Sequence, residues 1–148
     1  MTAQSFMDLA LKQAEIAQNH GEVPIGCVIV REGEVVAAAG NRTLNDHDPS
    51  AHAEIVAIRA AARRLGSERL TDCDLYVTLE PCTMCAGAIS LARIRRLYYG
   101  ARDPKGGAVE SGVRFFAQPT CHHAPEVYSA LGEVEAAALL RGFFQARR

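Results

Sequence analysis

The sequence predicts an α/β fold, a three-layer α/β/α sandwich with a central mixed five-stranded sheet. Three observations predict it. Segments of helical and strand period alternate in the order αββαβαβ(β)α, which places one sheet between helices on both of its faces. The chain has 148 residues, 49% of them hydrophobic, and a chain of about 150 residues buries roughly 70% of its unfolded surface without needing disulfide staples. No internal repeat or linker interrupts it, so residues 1–148 are expected to form one domain.

Each element follows from local pattern. Ser5 precedes Phe6, Leu9, Gln13 and Ile16 at helical spacing, and Gly21 offers a stop. Val23 to Val30 and Glu34 to Ala39 are β-prone runs around the turn Arg31-Glu32-Gly33, a hairpin. After a polar loop from Gly40 to Pro49, Ile55, Ile58, Ala62 and Leu65 mark a second helix that ends at Gly66 and carries His52 and Glu54 at its beginning. Leu75 to Leu79 reads as a buried strand. Pro81 suits the first turn of a third helix whose Cys82, Cys85, Ile89 and Ala92 share a face. Arg96 to Tyr99 is a strand, Gly100 to Pro125 reads as loop, and Glu126 to Tyr128 is a candidate fifth strand. The last helix, from about Glu133 to Gln145, has Val134, Ala137, Leu140 and Phe144 on one face, with Leu139 and Phe143 beside it.

Composition excludes disorder and collagen-like order. No apolar run approaches the roughly 18 residues of a membrane span, and the N-terminal segment lacks the features of a secretory signal. A cytoplasmic protein is expected. The net charge of −1 hides an asymmetry: residues 1–92 carry −5 and residues 93–148 carry +4. The Arg-rich part could face an anionic partner or be no more than solvated surface. Five cysteines make an odd set, which argues against a disulfide framework. Cys27 and Cys73 read as buried thiols, and His20 and His47 as structural.

The chemistry concentrates in two short motifs. His52-Ala53-Glu54 opens one helix and Pro81-Cys82-Thr83-Met84-Cys85 opens another, so both helix N-termini can converge on one point. Cys82 and Cys85 are i, i+3 neighbours that one ion can bridge. Two thiolates and an imidazole favour Zn²⁺ over Mg²⁺ or Ca²⁺, and a helix N-terminus stabilises the thiolate. Three protein ligands leave a fourth position for water, the mark of a catalytic site. At the first turn Glu54 can project toward the metal as a general acid/base. A C-x-x-C pair taken alone also suits a closed structural site or a redox pair, with Cys121, His122 and His123 as candidate further ligands. The H-x-E motif favours catalysis.

The H-x-E…P-C-x-x-C pattern resembles the signature of the zinc-dependent nucleoside and nucleobase deaminases. The likeness extends through Glu22-Val23-Pro24-Ile25-Gly26, Asn41-Arg42, His47 to Glu54, Val77 to Ala88, Tyr99 to Ala108 and the ending Phe143 to Arg148. Together these resemble the bacterial tRNA-specific adenosine deaminase family. The resemblance is weakest between Val109 and Ser129, where His122-His123 departs from the family's Asn-His pattern.

That resemblance implies a cytidine deaminase-like fold and hydrolysis of adenosine to inosine at the wobble position of an arginine tRNA anticodon. Activated water would attack C6, Glu54 would protonate N1 and then the departing amine, and ammonia would leave. One Zn²⁺ per subunit is implied on His52, Cys82 and Cys85, with no organic cofactor. Asn41 would hydrogen-bond the flipped nucleotide, or serve only as a turn residue. Val23, Pro24 and Ala53 would shape the base pocket. Asp103 would meet the nucleotide flanking the target and Lys105 a phosphate, unless both are solvated loop charges. Phe143, Phe144, Arg147 and Arg148 offer stacking and phosphate contacts, although core packing suits the phenylalanines equally well. A homodimer is implied as well. Two other readings are a small-molecule deaminase acting on guanine, cytosine or a cytidine nucleotide, and a non-catalytic zinc-stabilised RNA-binding module.

Overall fold

The structure is a computed structural model and describes residues 1–147; Arg148 lies outside the described residues. A five-stranded sheet of order β2-β1-β3-β4-β5 is built from β1 (Gly26–Arg31), β2 (Glu34–Gly40), β3 (Cys73–Leu79), β4 (Arg96–Ala101) and β5 (Glu126–Tyr128). Strand β1 is antiparallel to both β2 and β3, whereas β3, β4 and β5 run parallel. The sheet is therefore mixed, as expected. Helices α1 (Ala3–Asn19) and α4 (Glu133–Gln145) cover one face, and α2 (Ala53–Leu65) and α3 (Thr83–Leu91) the other. Among the described residues no helix is long and apolar enough to cross a membrane.

The helices dock through small residues, and this changes which faces are buried. Helix α1 starts earlier than the Ser5 pattern suggests. Thr2 is its N-cap and accepts a hydrogen bond from the Ser5 backbone N–H at 3.1 Å. Its inward face is Phe6, Met7, Ala10, Leu11, Ala14 and Ala17, while Leu9 and Ile16 stay 38% and 41% exposed. The reason is close approach: a Cβ on Gly26 would lie 1.9 Å from the Ala10 carbonyl oxygen, so helix backbone rests almost directly on strand backbone. Helix α2 buries Ala53, Ala57 and Ala61, with Ile58 and Ala62 only partly covered. Helix α4 buries Ala136 and Phe143, leaving Val134 76% and Phe144 52% exposed, against the face expected from the larger side chains.

Beyond β4, a 3₁₀ turn at Phe115–Ala117 breaks a segment with no helical or strand period in the sequence. On the α1/α4 face, Tyr76, Tyr98 and Tyr128 stand in register on β3, β4 and β5. Their ring centroids are 4.4 Å and 4.9 Å apart, stacked across the strands. Two residues before these tyrosines, where the strands begin, Asp74 pairs with Arg96 and with the adjacent Arg95, and Arg96 with Glu126. Part of the C-terminal positive charge is thus neutralised within the fold, while Arg102 and Lys105 remain exposed.

Candidate active site

Where β3 and β4 end, the first turns of α2 and α3 come together, the usual place for a ligand in an open α/β sheet. His52 is the N-cap of α2 and Cys82 the N-cap of α3, both in extended backbone. Neither side chain caps its helix. Serine, threonine, asparagine or aspartate at these positions would be worth about 1 kcal/mol to each helix, so the two side chains are turned to another use. The His52 Nδ1 lies 3.5 Å from both the Cys82 Sγ and the Cys85 Sγ. Bonds of about 2.3 Å to sulfur and 2.0–2.1 Å to nitrogen around a tetrahedral ion imply S···N edges of about 3.5 Å. The three donors therefore fit a zinc ion. Among the described residues they form the one group of three or more His, Cys, Asp or Glu side chains whose ligand atoms all lie within 4.8 Å of one another.

Electrostatics prepare these groups. The Cys82 thiol is pulled down to about 4, first by the Cys85 S–H donating to it and then by His52. Cys85 is pushed up, by donating its S–H to the Cys82 sulfur and by burial. The Cys82 sulfur holds His52 above its usual range. Glu54 is 4% exposed, and burial pushes its carboxyl up to about 7 against the pull of its own backbone N–H and of Cys85. A carboxyl that titrates near neutrality beside three metal donors can both take and return a proton.

A cavity of about 240 Å³ opens above these groups, lined by Ile25, His52, Glu54, Leu79, Glu80, Cys82, Asp103 and Gly106. It is smaller than the roughly 300–1,000 Å³ of sites for drug-sized ligands and matches a single flat ring system. His52, Glu54, Cys82 and Asp103 were expected near the site from sequence; Ile25, Leu79, Glu80 and Gly106 were not. Ile25 enters because it precedes β1, whose Cys27 pairs with Val77 of β3.

Other expected contacts lie elsewhere. Asn41 is buried, and its side-chain amide donates to Glu22 Oε1 and Thr43 Oγ1 at 3.3 Å each. Val23 and Pro24 precede Ile25 and do not line the cavity, and Ala53 is fully buried in the core behind it. Lys105 is exposed beside Asp103, whose Oδ1 accepts its backbone N–H at 3.2 Å. On α4, Phe143 is buried beneath Arg147, whose guanidinium stands 3.5 Å from its ring centroid, and Phe144 is open to solvent. Cys121 and His123 are occupied around Ser90, and the His123 Nε2 lies 2.7 Å from the Ile94 carbonyl oxygen. They are not further ligands of the His52, Cys82 and Cys85 group.

The geometry has counterparts among known proteins. Residues 1–101 match the family model of the cytidine and deoxycytidylate deaminase zinc-binding region. Over 143 residues the chain is 66% identical to the tRNA-specific adenosine deaminase of Agrobacterium fabrum, covering 97% of this chain and 94% of that protein. A solved structure from a study of A-to-I editing by tRNA A34 deaminases at the wobble position superimposes with a TM-score of 0.91 at 67% identity, covering 92% of this chain and 99% of the other. Bacillus subtilis guanine deaminase aligns at 42% identity and a TM-score of 0.68, over 69% of this chain and 66% of its own.

Proposed function

The chain belongs to the cytidine and deoxycytidylate deaminase zinc-binding family, and from that premise we propose that it hydrolyses adenosine to inosine at the wobble position of a tRNA anticodon. The observation that carries this reading is the 66% identity, over nearly the whole chain, to a tRNA-specific adenosine deaminase. It joins a cavity the size of one base, floored by His52, Cys82 and Glu54, with Cys85 grouped beside His52 and Cys82. An arginine tRNA is the proposed substrate, and the deaminase domain takes in residues 1–148.

His52, Cys82 and Cys85 would hold one zinc ion per subunit, and when bound the ion activates water for attack at an electron-poor ring carbon. The rest falls to the chain. The cavity admits one unstacked base, bounded by the apolar Ile25 and Leu79. Glu54 takes a proton from the attacking water and delivers it to N1. It then takes the proton of the new C6 hydroxyl and delivers it to the amine, which departs as the C6–N bond breaks and the C6 carbonyl forms. Adenosine and water thereby give inosine and ammonia. Asn41 is proposed to reach the nucleotide's sugar or base, and Asp103 a flanking nucleotide. Val23, Pro24 and Ala53 would shape the pocket from behind its lining, Lys105 would meet phosphate, and Phe144 and Arg147 would meet the RNA loop, with Phe143 buried beneath Arg147 as its support. By the same reading the protein acts in the cytoplasm as a homodimer, without an organic cofactor.

The likeness to a guanine deaminase supports a second reading, deamination of a free base in the same cavity. One assay separates them. Ammonia release is measured from an arginine tRNA anticodon stem-loop with adenosine at the wobble position, beside free guanine, cytosine and cytidine. Turnover of the stem-loop alone is expected; turnover of a free base with none on the RNA would sink the proposed substrate.

A further inference from the structure

Glu80 is 2% exposed, yet it is held as a charged carboxylate by five donors. Its Oε1 accepts the Asp103 backbone N–H at 3.0 Å and the Ser111 hydroxyl at 3.0 Å. Its Oε2 accepts the backbone N–H groups of Val109, Glu110 and Ser111 at 3.1, 2.9 and 2.9 Å. All five come from one segment, residues 103–111, which leaves β4 and folds back over the cavity. The fit leaves no slack, because a Cβ on Gly107 would lie 2.5 Å from both the Glu80 Cδ and the Asp103 carbonyl oxygen. That segment supplies the cavity wall through Asp103 and Gly106. Since the cavity holds one ring system, the neighbours of a target base within a strand must lie along its rim, and the Glu80-fixed segment forms one side of that rim.

We propose that Glu80 is a positioning residue which, by fixing Asp103 and the 103–111 segment against the site, sets the enzyme's selectivity for the nucleotides flanking its target. This deepens the tRNA reading and rests on it. Glu80 touches no reacting atom in this scheme and acts through the Asp103 backbone. In Glu80→Gln, the amide oxygen serves the three N–H groups at the Oε2 position. The NH₂ then faces the Asp103 N–H, two donors without an acceptor, so the variant releases Asp103 selectively.

The test measures kcat and KM on stem-loops carrying each of the four nucleotides on either side of the target adenosine. For Glu80→Gln, kcat/KM on the cognate stem-loop is expected to fall about tenfold, chiefly through KM, and the preference over other flanks to fall by a similar factor. Amide exchange at Asp103 is expected to quicken about tenfold while Val109 to Ser111 keep their protection, with the zinc content unchanged. In a double-mutant cycle the loss of flank preference should not add to that of Asp103→Ala. Should Glu80→Gln fold poorly, Ser111→Ala, which removes one donor outside the cavity, is expected to move the same preferences by a smaller factor.

Faster exchange with unaltered flank preference would make Glu80 a structural anchor only and overturn the proposal. Additive losses would overturn it too, because Glu80 would then not act through Asp103. A wild-type protein that turns over no RNA overturns the functional reading itself and this proposal with it.

Discussion

Two buried glutamates face one cavity and are treated in opposite ways. Glu54, at the first turn of α2, is left with little besides its own backbone N–H and a thiol, and burial pushes it up to about 7. At Glu80, on the end of β3, burial pushes the same way, but the backbone N–H groups of Asp103, Ser111 and Glu110 and the Ser111 hydroxyl outweigh it and hold the carboxyl below its usual range. A carboxylate poor in donors can exchange protons near neutrality, whereas one saturated with donors stays charged and serves as a brace. The floor of the cavity is thus built for chemistry and its wall for shape.

The sharpest way to break this contrast is to make each residue do without its charge. Glu54→Gln is expected to lower kcat by 10²- to about 10⁴-fold with zinc content and melting temperature little changed. Metal analysis and single-turnover assays check it, and a loss of zinc would move Glu54 from proton carrier to ligand support. The wall should respond in stability instead. Gly107→Ala forces a methyl group onto the Glu80 carboxylate and is expected to cost about 2–4 kcal/mol, read from urea denaturation. A neutral result would mean that the 103–111 segment gives way easily and is no brace.

The smallest effect concerns Glu22, a second braced carboxylate, 1% exposed, which gathers Asn41, Thr43, Leu44 and Asn45. Burial alone would raise it, but the Asn45 and Leu44 backbone N–H groups and the Asn45 and Thr43 side chains bring it below its usual value. A depressed carboxyl stabilises the fold above its unfolded pKa and loses that contribution as pH falls through the folded value. The difference in melting temperature between the protein and Glu22→Gln is therefore expected to hold from neutrality to about pH 5 and to shrink below about pH 4.3. Equal slopes in the two proteins would remove Glu22 from the set of braces.

The floor was legible in the sequence because its parts are local. His52 and Glu54 are two residues apart, Cys82 and Cys85 three, and each pair sits on a single helix turn that propensity and proline mark out. The brace was hidden because Glu80 finds its donors 23 to 31 residues downstream, mostly among backbone N–H groups that carry no side-chain signature. The order and kinds of elements could be read from period, but the buried faces of α1 and α4 could not. Hydropathy points to the largest apolar side chains, whereas these helices meet the sheet with alanines set against glycines. At Gly100 an added Cβ would lie 3.3 Å from that of Ala136. Contact distance, not side-chain size, decided which residues went inside.

The ladder formed by Tyr76, Tyr98 and Tyr128 gives the protein an optical label of its own. The chain has no tryptophan and four tyrosines, so three of its four main near-ultraviolet chromophores are stacked within one half of the sheet. Coupled transitions between stacked phenols give circular dichroism in that region, and the signal vanishes when side-chain packing loosens even if helices persist. Near-ultraviolet dichroism therefore watches β3, β4 and β5, the strands that carry the cavity wall, while β1 and β2 remain dark to it.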